Sequence, residues 1–115
     1  MGFDSDESVA AELKLYTEND GDIYRRTTTS ILRALATRRA AGRYNSEKAI
    51  DAFMNLAEVG AKKYAREFGG PGAKWGDMFP KPIRRMAAKE WRDEFEVEYA
   101  LGNYNHLVPK KYQGR

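Results

Sequence analysis

The clearest hydrophobic pattern in the chain runs from Ser46 to Phe68. Apolar residues recur there at spacings of three and four, which places them on one face of a helix with about 3.6 residues per turn. They are Ile50, Phe53, Met54, Ala57, Ala61, Tyr64 and Phe68. Asn45 or Ser46 is suited to cap the start, and the glycine-rich segment 69–72 ends the helix. We therefore predict one long amphipathic helix on which the other elements pack.

Two shorter patterns precede this helix. One predicts a helix from Ser8 to about Glu18, capped by Ser5 or Ser8, and the other a helix from Ile23 to Ala41, capped by Asp20 or Asp22. The apolar stripes are Val9, Leu13 and Tyr16 in the first and Tyr24, Thr28, Ile31 and Leu35 in the second. Both helices are expected to pack by these stripes.

The last pattern predicts a helix from about Pro82 to Leu101, because proline is well placed in a first turn and Gly102 stops the helix. Its apolar residues form two stripes. The first holds Ala87, Ala88, Trp91, Phe95 and Tyr99, and the second holds Ile83, Met86, Val97 and Leu101. A helix with two apolar stripes contacts more than one neighbour, so the second stripe is a candidate for self-association.

The connection between the two longest helices, residues 69–80, carries three large apolar side chains: Trp75, Met78 and Phe79. A flexible linker does not need such side chains. Two interpretations remain open: the side chains fold back over the core, or they form a contact surface for a protein partner.

The predicted fold is all-α, because no segment alternates polar and apolar residues for long enough to predict a strand. We expect a small helical bundle of three main helices plus a short N-terminal helix. Residues 1–7 are expected to form a flexible acidic lead-in, residues 8–101 the bundle domain, and residues 102–115 a basic, partly docked tail.

The composition narrows the class of protein. The 115 residues contain no cysteine, which excludes a disulfide framework and a thiolate metal site. No apolar run approaches the roughly 18 residues of a membrane span, and the acidic N-terminus lacks the apolar core of a secretory signal. We expect no membrane association, no cofactor, no bound metal and a cytoplasmic location.

Positive charge is concentrated in one part of the chain. The net charge is only +3, yet the segment from Ile23 to Ser46 holds six arginines and no acid. Because the planar donor fork of arginine suits phosphate, this segment is a candidate for nucleic-acid contact. The predicted binding residues are Arg25, Arg26, Arg33 and Arg43, with Tyr44, Trp75 and Tyr104 as candidate stacking surfaces. The alternative is a solvated face, or one neutralised by the acidic last helix.

Negative charge is concentrated from Glu90 to Glu98, where five acids stand against Arg92 alone. Glu90, Glu94 and Glu98 are four residues apart, but carboxylate metal sites in bundles also need histidines from paired helices. We therefore predict that this column either forms ion pairs with arginines of a neighbouring helix or is a solvated ridge.

Catalysis is not predicted. His106, the one histidine, lies in the tail, and nothing in the sequence holds a nucleophile or substrate against it. The protein is expected not to be an enzyme.

Three segments resemble known proteins. They are Leu15–Arg25, Ala61–Tyr64 and Leu101–Leu107, which resemble parts of small uncharacterised proteins encoded by bacteriophages. The resemblance implies an intracellular setting in an infected host bacterium, and it assigns no activity and no functional residue.

Three functions follow as hypotheses. The first is a non-enzymatic accessory protein that contacts nucleic-acid phosphate through an arginine-rich helix face. The second is a protein-binding module or host-factor inhibitor that uses the Trp75–Phe79 loop or the acidic last helix. The third is a structural subunit that self-associates through the second apolar stripe of the last helix.

Overall fold

The computed structural model describes residues 5–113, and within that range every regular element is helical, which confirms the all-α expectation. The longer helices are α1 (Asp6–Glu18), α3 (Thr29–Ala40), α4 (Ser46–Phe68) and α6 (Lys81–Ala100). The short ones are α2 (Gly21–Ile23), a π-helical turn (Tyr24–Thr28), α5 (Trp75–Met78) and 3-10 turns at Asn105–Leu107 and Lys110–Tyr112. No helix in this range is long and apolar enough to cross a membrane.

The centre of the fold is α4, whose bounds agree with the prediction. The side chain of Asn45 caps it by accepting a hydrogen bond from the backbone N–H of Lys48 at 2.9 Å. Its apolar face packs mainly on α6 and α1. The predicted inward position of Phe68 is wrong, because this ring is exposed at the end of the helix.

The first helix begins at Asp6, two residues earlier than the sequence predicts. The hydroxyl of Ser5 caps it by accepting from the backbone N–H of Ser8 at 3.1 Å. Asp6 and Glu7, expected in the acidic lead-in, therefore belong to α1. The remainder of that expected lead-in, residues 1–4, lies outside the described residues.

One helical path runs from Gly21 to Ala40, but it contains a π-turn that the sequence did not predict. In a π-turn the hydrogen bond spans five residues instead of four, which shifts the register of the helix by one position. Thr28 consequently lies on the same face of the helix as Ile23, whose exposed fraction is 4%. Tyr24 is turned outwards, and 52% of it is exposed. The predicted inward position of Tyr24 is wrong for this reason.

The loop before α6 folds back over the core. Phe79 is 2% exposed, and its ring meets that of Tyr64 edge-on at 5.0 Å between centroids. Trp75 is half-buried between two cations, with Lys62 Nζ 5.4 Å and the Arg84 guanidinium 4.8 Å from its ring. Phe79 therefore folds back over the core, as the first interpretation predicts. Only Trp75 and Met78 remain accessible enough to form a contact surface for a partner.

The two apolar stripes of α6 differ in how deeply they are buried. The first is largely in the core, where Ala87, Ala88, Trp91 and Phe95 are buried. The second divides along the helix: Ile83 is buried at its start, whereas Val97 and Leu101 are 57% and 68% exposed. The C-terminal end of α6 therefore carries an apolar patch on the surface.

The tail, as far as Gln113, packs on the domain. The ring of Tyr104 stacks on that of Phe95 with an interplanar angle of 14° and 5.5 Å between centroids. Val108 is buried, and Leu107 is half-buried. These residues cover the region where α3 meets the end of α6.

Candidate nucleic-acid interface

The four predicted phosphate-binding residues, Arg25, Arg26, Arg33 and Arg43, are all exposed and are named here the arginine face. The helical path from Gly21 to Ala40 packs through Ile23, Leu35 and Ala36, which leaves the long cationic side chains outside. The π-turn also affects their alignment. Two turns that include it span about eight residues, so Arg25 comes into line with Arg33.

Three of these arginines have no acidic partner in the part of the chain that the structure describes. Arg26, Arg33 and Arg43 form no ion pair within residues 5–113, whereas Arg25 pairs with Asp22 one turn away. Both side chains of that pair are mostly exposed, and such pairs contribute little to stability. The arginine face is therefore available to an external anion.

The acidic column of α6 does not neutralise the arginine face. Lys14 of α1 takes the place expected for an arginine: its Nζ lies 2.6 Å from a carboxylate oxygen of Glu94 and 2.8 Å from one of Glu18. Glu98 accepts a hydrogen bond from the side chain of Asn103. The expectation of ion pairs between the column and neighbouring arginines is wrong for Glu94.

The partly buried Lys14 keeps its charge in this cluster. Burial lowers the pKa of Lys14, but its hydrogen bonds and charge interactions with Glu18 and Glu94 outweigh that effect and raise the pKa overall. Lys14 is therefore an ammonium ion at neutral pH, and it links α1 to α6.

The neighbouring carboxylate Glu96 also has partners of its own. It accepts hydrogen bonds from the hydroxyls of Tyr44 at 2.7 Å and Ser46 at 2.6 Å. Arg92 donates to the hydroxyl of the same Ser46 at 2.9 Å, and it pairs with Asp93. This network fixes the start of α4 against α6 and uses no residue of the arginine face.

A polar cleft of about 490 Å³ lies where α3, the end of α6 and the tail meet, and is named here the tail cleft. Its lining includes Arg39, Tyr99, Asn105 and Gln113. The guanidinium carbon of Arg39 lies 5.4 Å from the centroid of the Tyr99 ring. A planar cation, an aromatic ring and two amides are groups that bind unstacked nucleobases and phosphate.

Sequence reasoning missed the tail cleft as a site. Arg39 belongs to the acid-free arginine run, which is a signal, but Tyr99 reads as a core residue and Asn105 as part of a tail. Nothing in their spacing shows that the tail returns to the end of α3. Only the packing of Val108 and Tyr104 brings these residues together.

The three predicted stacking residues do not form one surface. Tyr44 and Tyr104 both pack on Phe95, with centroids 5.6 Å and 5.5 Å away. Trp75 contacts Arg84 in the first turn of α6, whereas Tyr99 of the tail cleft lies in its last turn. About 15 residues of helix, or roughly 22 Å, separate those turns.

Among residues 5–113, no group of three or more histidine, aspartate or glutamate side chains is placed to hold a metal ion. His106 is exposed in a 3-10 turn of the tail.

The chain matches no protein-family model, and no curated protein and no solved structure matches it.

Proposed function

We propose that the protein is a non-enzymatic accessory protein that contacts the phosphate backbone of nucleic acid through the arginine face. The observation that carries the proposal is the availability of Arg26, Arg33 and Arg43, which are exposed and form no ion pair within residues 5–113. The resemblance to phage-encoded proteins adds the expected setting, the cytoplasm of an infected bacterium.

The spacing of the arginines suits a phosphate backbone. Arg25 and Arg33 are eight residues apart, which is about 12 Å along a helix. That distance corresponds to three or four nucleotides of one strand, at about 3.4 Å each. Since Arg26 and Arg33 form no ion pair within residues 5–113, phosphate binding there breaks no pair in that range.

The tail cleft favours a single strand as the ligand. Arg39 lies six residues after Arg33, about 9 Å along α3 and on a different face of the helix, so a strand held by the arginine face would curve round α3 to reach the cleft. An unpaired base has free stacking and hydrogen-bonding edges for Tyr99 and Asn105, whereas a base inside a duplex does not. Gln113 can offer its amide oxygen, because its Nε2 already donates to the carbonyl of Val108 at 2.8 Å. We therefore expect tighter binding of single strands than of duplexes.

The test is fluorescence anisotropy with short labelled single-stranded and duplex DNA and RNA. The variant Arg25→Ala/Arg26→Ala/Arg33→Ala is expected to lose at least about tenfold in affinity, because each lost phosphate contact weakens binding. The matched control is Arg66→Ala/Arg85→Ala/Lys89→Ala, which removes the same charge from exposed positions elsewhere. An absence of binding by the wild type at about 50 mM salt, or equal losses in both variants, would contradict the proposal.

A second candidate function, self-association, is favoured by one observation. Val97 of α6 and Leu101, the residue that caps the C-terminus of α6, are exposed four residues apart, which puts two apolar side chains side by side on the surface. Their replacement by serine is expected to convert a dimer to a monomer in light scattering coupled to size exclusion. A wild type that is monomeric at high micromolar concentration would remove this candidate.

A further inference from the structure

A second cavity, of about 190 Å³, lies between α1, the π-turn, α4, α6 and the tail and is named here the aromatic cavity. Half of its ten lining residues are aromatic: Tyr24, Phe53, Trp91, Phe95 and Tyr104. The others are two acids, Glu18 and Glu94, together with Thr28, Leu32 and Leu56. Among residues 5–113, it shares none with the tail cleft or the arginine face.

The charge at this cavity is negative on balance. Glu18 and Glu94 both bind the single ammonium group of Lys14, at 2.8 Å and 2.6 Å, so two carboxylates share one cation. The indole N–H of Trp91 donates to Glu18 at 2.9 Å, which holds that carboxylate in place. An anionic ligand is therefore disfavoured, and a cationic one is attracted.

The negative charge near the cavity also affects the hydroxyl of Tyr104. Burial raises its pKa first, and the charges of Glu98 and Glu94 raise it further. Ring faces carry a negative quadrupole that attracts ammonium groups, most strongly where water is excluded. The aromatic rings and the carboxylates therefore both favour a positively charged ligand.

The π-turn forms part of the wall of this cavity. It turns Tyr24 away from the core, at 52% exposure, and yet keeps it among the lining residues. Single π-turns inside helices are frequent at functional sites, because they re-aim side chains at a cost in helix stability. Here the re-aimed residue is an aromatic one.

We propose that the aromatic cavity binds a small organic cation of the alkylammonium class. Its volume is below the roughly 300–1,000 Å³ of sites for drug-sized ligands, so a nucleotide is too large. An ammonium group with a few carbons combines the positive charge and the apolar surface that the walls require. This site is independent of nucleic-acid contact, since it attracts the opposite charge.

The first test uses choline chloride as the probe and the fluorescence of Trp91. The variant Trp75→Phe leaves Trp91 as the only tryptophan, because the chain has two. A saturable change at millimolar choline is expected, at constant total salt. The uncharged isostere 3,3-dimethylbutan-1-ol is expected to bind at least about tenfold more weakly, since it lacks the cation–π and carboxylate attraction.

Two opposite charge changes sharpen the test. Glu94→Gln is expected to weaken choline binding about tenfold, and Lys14→Gln to strengthen it, because the internal ammonium competes for the same carboxylates. Glu90→Gln is the matched control, an exposed acid on the same helix, and should leave binding unchanged. Circular dichroism verifies that each variant is folded.

Three outcomes would overturn the proposal: no saturable change with choline, equal affinity for choline and its isostere, or weaker binding in a folded Lys14→Gln variant. If Glu94→Gln fails to fold, the proposal is decided by comparing the affinities of the Trp75→Phe protein for choline and for its uncharged isostere. The fluorescence test needs no nucleic acid, so its failure and the failure of the proposed function are separate results.

Discussion

Gly60 lies directly against Thr17 where α4 meets α1. A Cβ atom built on Gly60 would stand 2.0 Å from Oγ1 of Thr17 and 3.0 Å from its Cβ, far inside van der Waals contact. Thr17 is fully buried, and its hydroxyl donates to the backbone carbonyl of Leu13 at 2.7 Å. The missing side chain in the middle of α4 is therefore what lets α1 lie close.

Gly60→Ala is expected to destabilise the protein by about 1–3 kcal/mol, because the new methyl group overpacks the helix interface. In an exposed helix the same change would stabilise by up to about 1 kcal/mol. Urea denaturation followed by circular dichroism measures the difference in the free energy of unfolding.

The control for this change is Gly76→Ala, where a Cβ meets nothing within 4 Å. It should leave the free energy of unfolding unchanged or raise it by up to about 1 kcal/mol. Thr17→Ala/Gly60→Ala should be more stable than Gly60→Ala alone, since it removes the opposing Oγ1. A Gly60→Ala protein as stable as the wild type would show that the two helices are not in this contact.

The loop before α6 provides a second prediction. Phe79→Ala should cost about 3–5 kcal/mol, because it empties a buried aromatic site beside Tyr64. Trp75→Ala should cost less, since its ring is only half-buried and lies between two flexible cationic side chains. Thermal or urea denaturation of the two variants ranks them. The reverse order would mean that the loop does not pack as described.

High pH should destabilise the fold through its tyrosines. Four of the seven, Tyr16, Tyr44, Tyr64 and Tyr104, have pKa values raised above the ordinary value of 10.0. Burial is the main cause for Tyr44, and the acceptor Glu96 adds to it; for Tyr64 the hydrogen bond to Glu12 comes first. Each folded-state hydroxyl therefore retains its proton at a pH where the unfolded chain has lost it.

The sign of the effect follows from linkage. Below about pH 10 both states are protonated, and the contribution to stability is complete. As the pH rises above about 10, the unfolded state ionises first, so the free energy of unfolding falls. Urea midpoints between about pH 8 and 11 measure this decline, and Tyr44→Phe should make it shallower. A decline identical in Tyr44→Phe would exclude a part for this residue.

The sequence predicts the elements that depend on local pattern and capping. The bounds of α4 and its cap at Asn45 are both of this kind. The π-turn is not: the backbone N–H of Thr29 donates to the carbonyl of Tyr24, five residues back, and no apolar spacing in the sequence marks this register shift. Gly60 likewise reads as a weak point in a helix until Thr17 is placed against it.

Part of the candidate site can likewise be predicted from the sequence, and part of it cannot. An acid-free run of arginines is visible in the sequence, and their exposure follows from the apolar stripe opposite. The ion-pair partner of the acidic helix cannot be read from the sequence, because Lys14, which pairs with Glu94, lies on a helix some 80 residues away in the chain. The tail cleft and the aromatic cavity both require the tail to return to α3 and α6, which no spacing encodes.

The salt dependence of nucleic-acid affinity tests the central claim most directly. For three phosphate contacts, the slope of log K against log salt is expected to be about −2 on a single strand, which is nearly a 20-fold loss between about 50 and 200 mM. Arg33→Ala should make the slope shallower by about 0.7, the share of one contact. A slope near zero, or one that Arg33→Ala leaves unchanged while Lys89→Ala reduces it, would contradict contact through the arginine face.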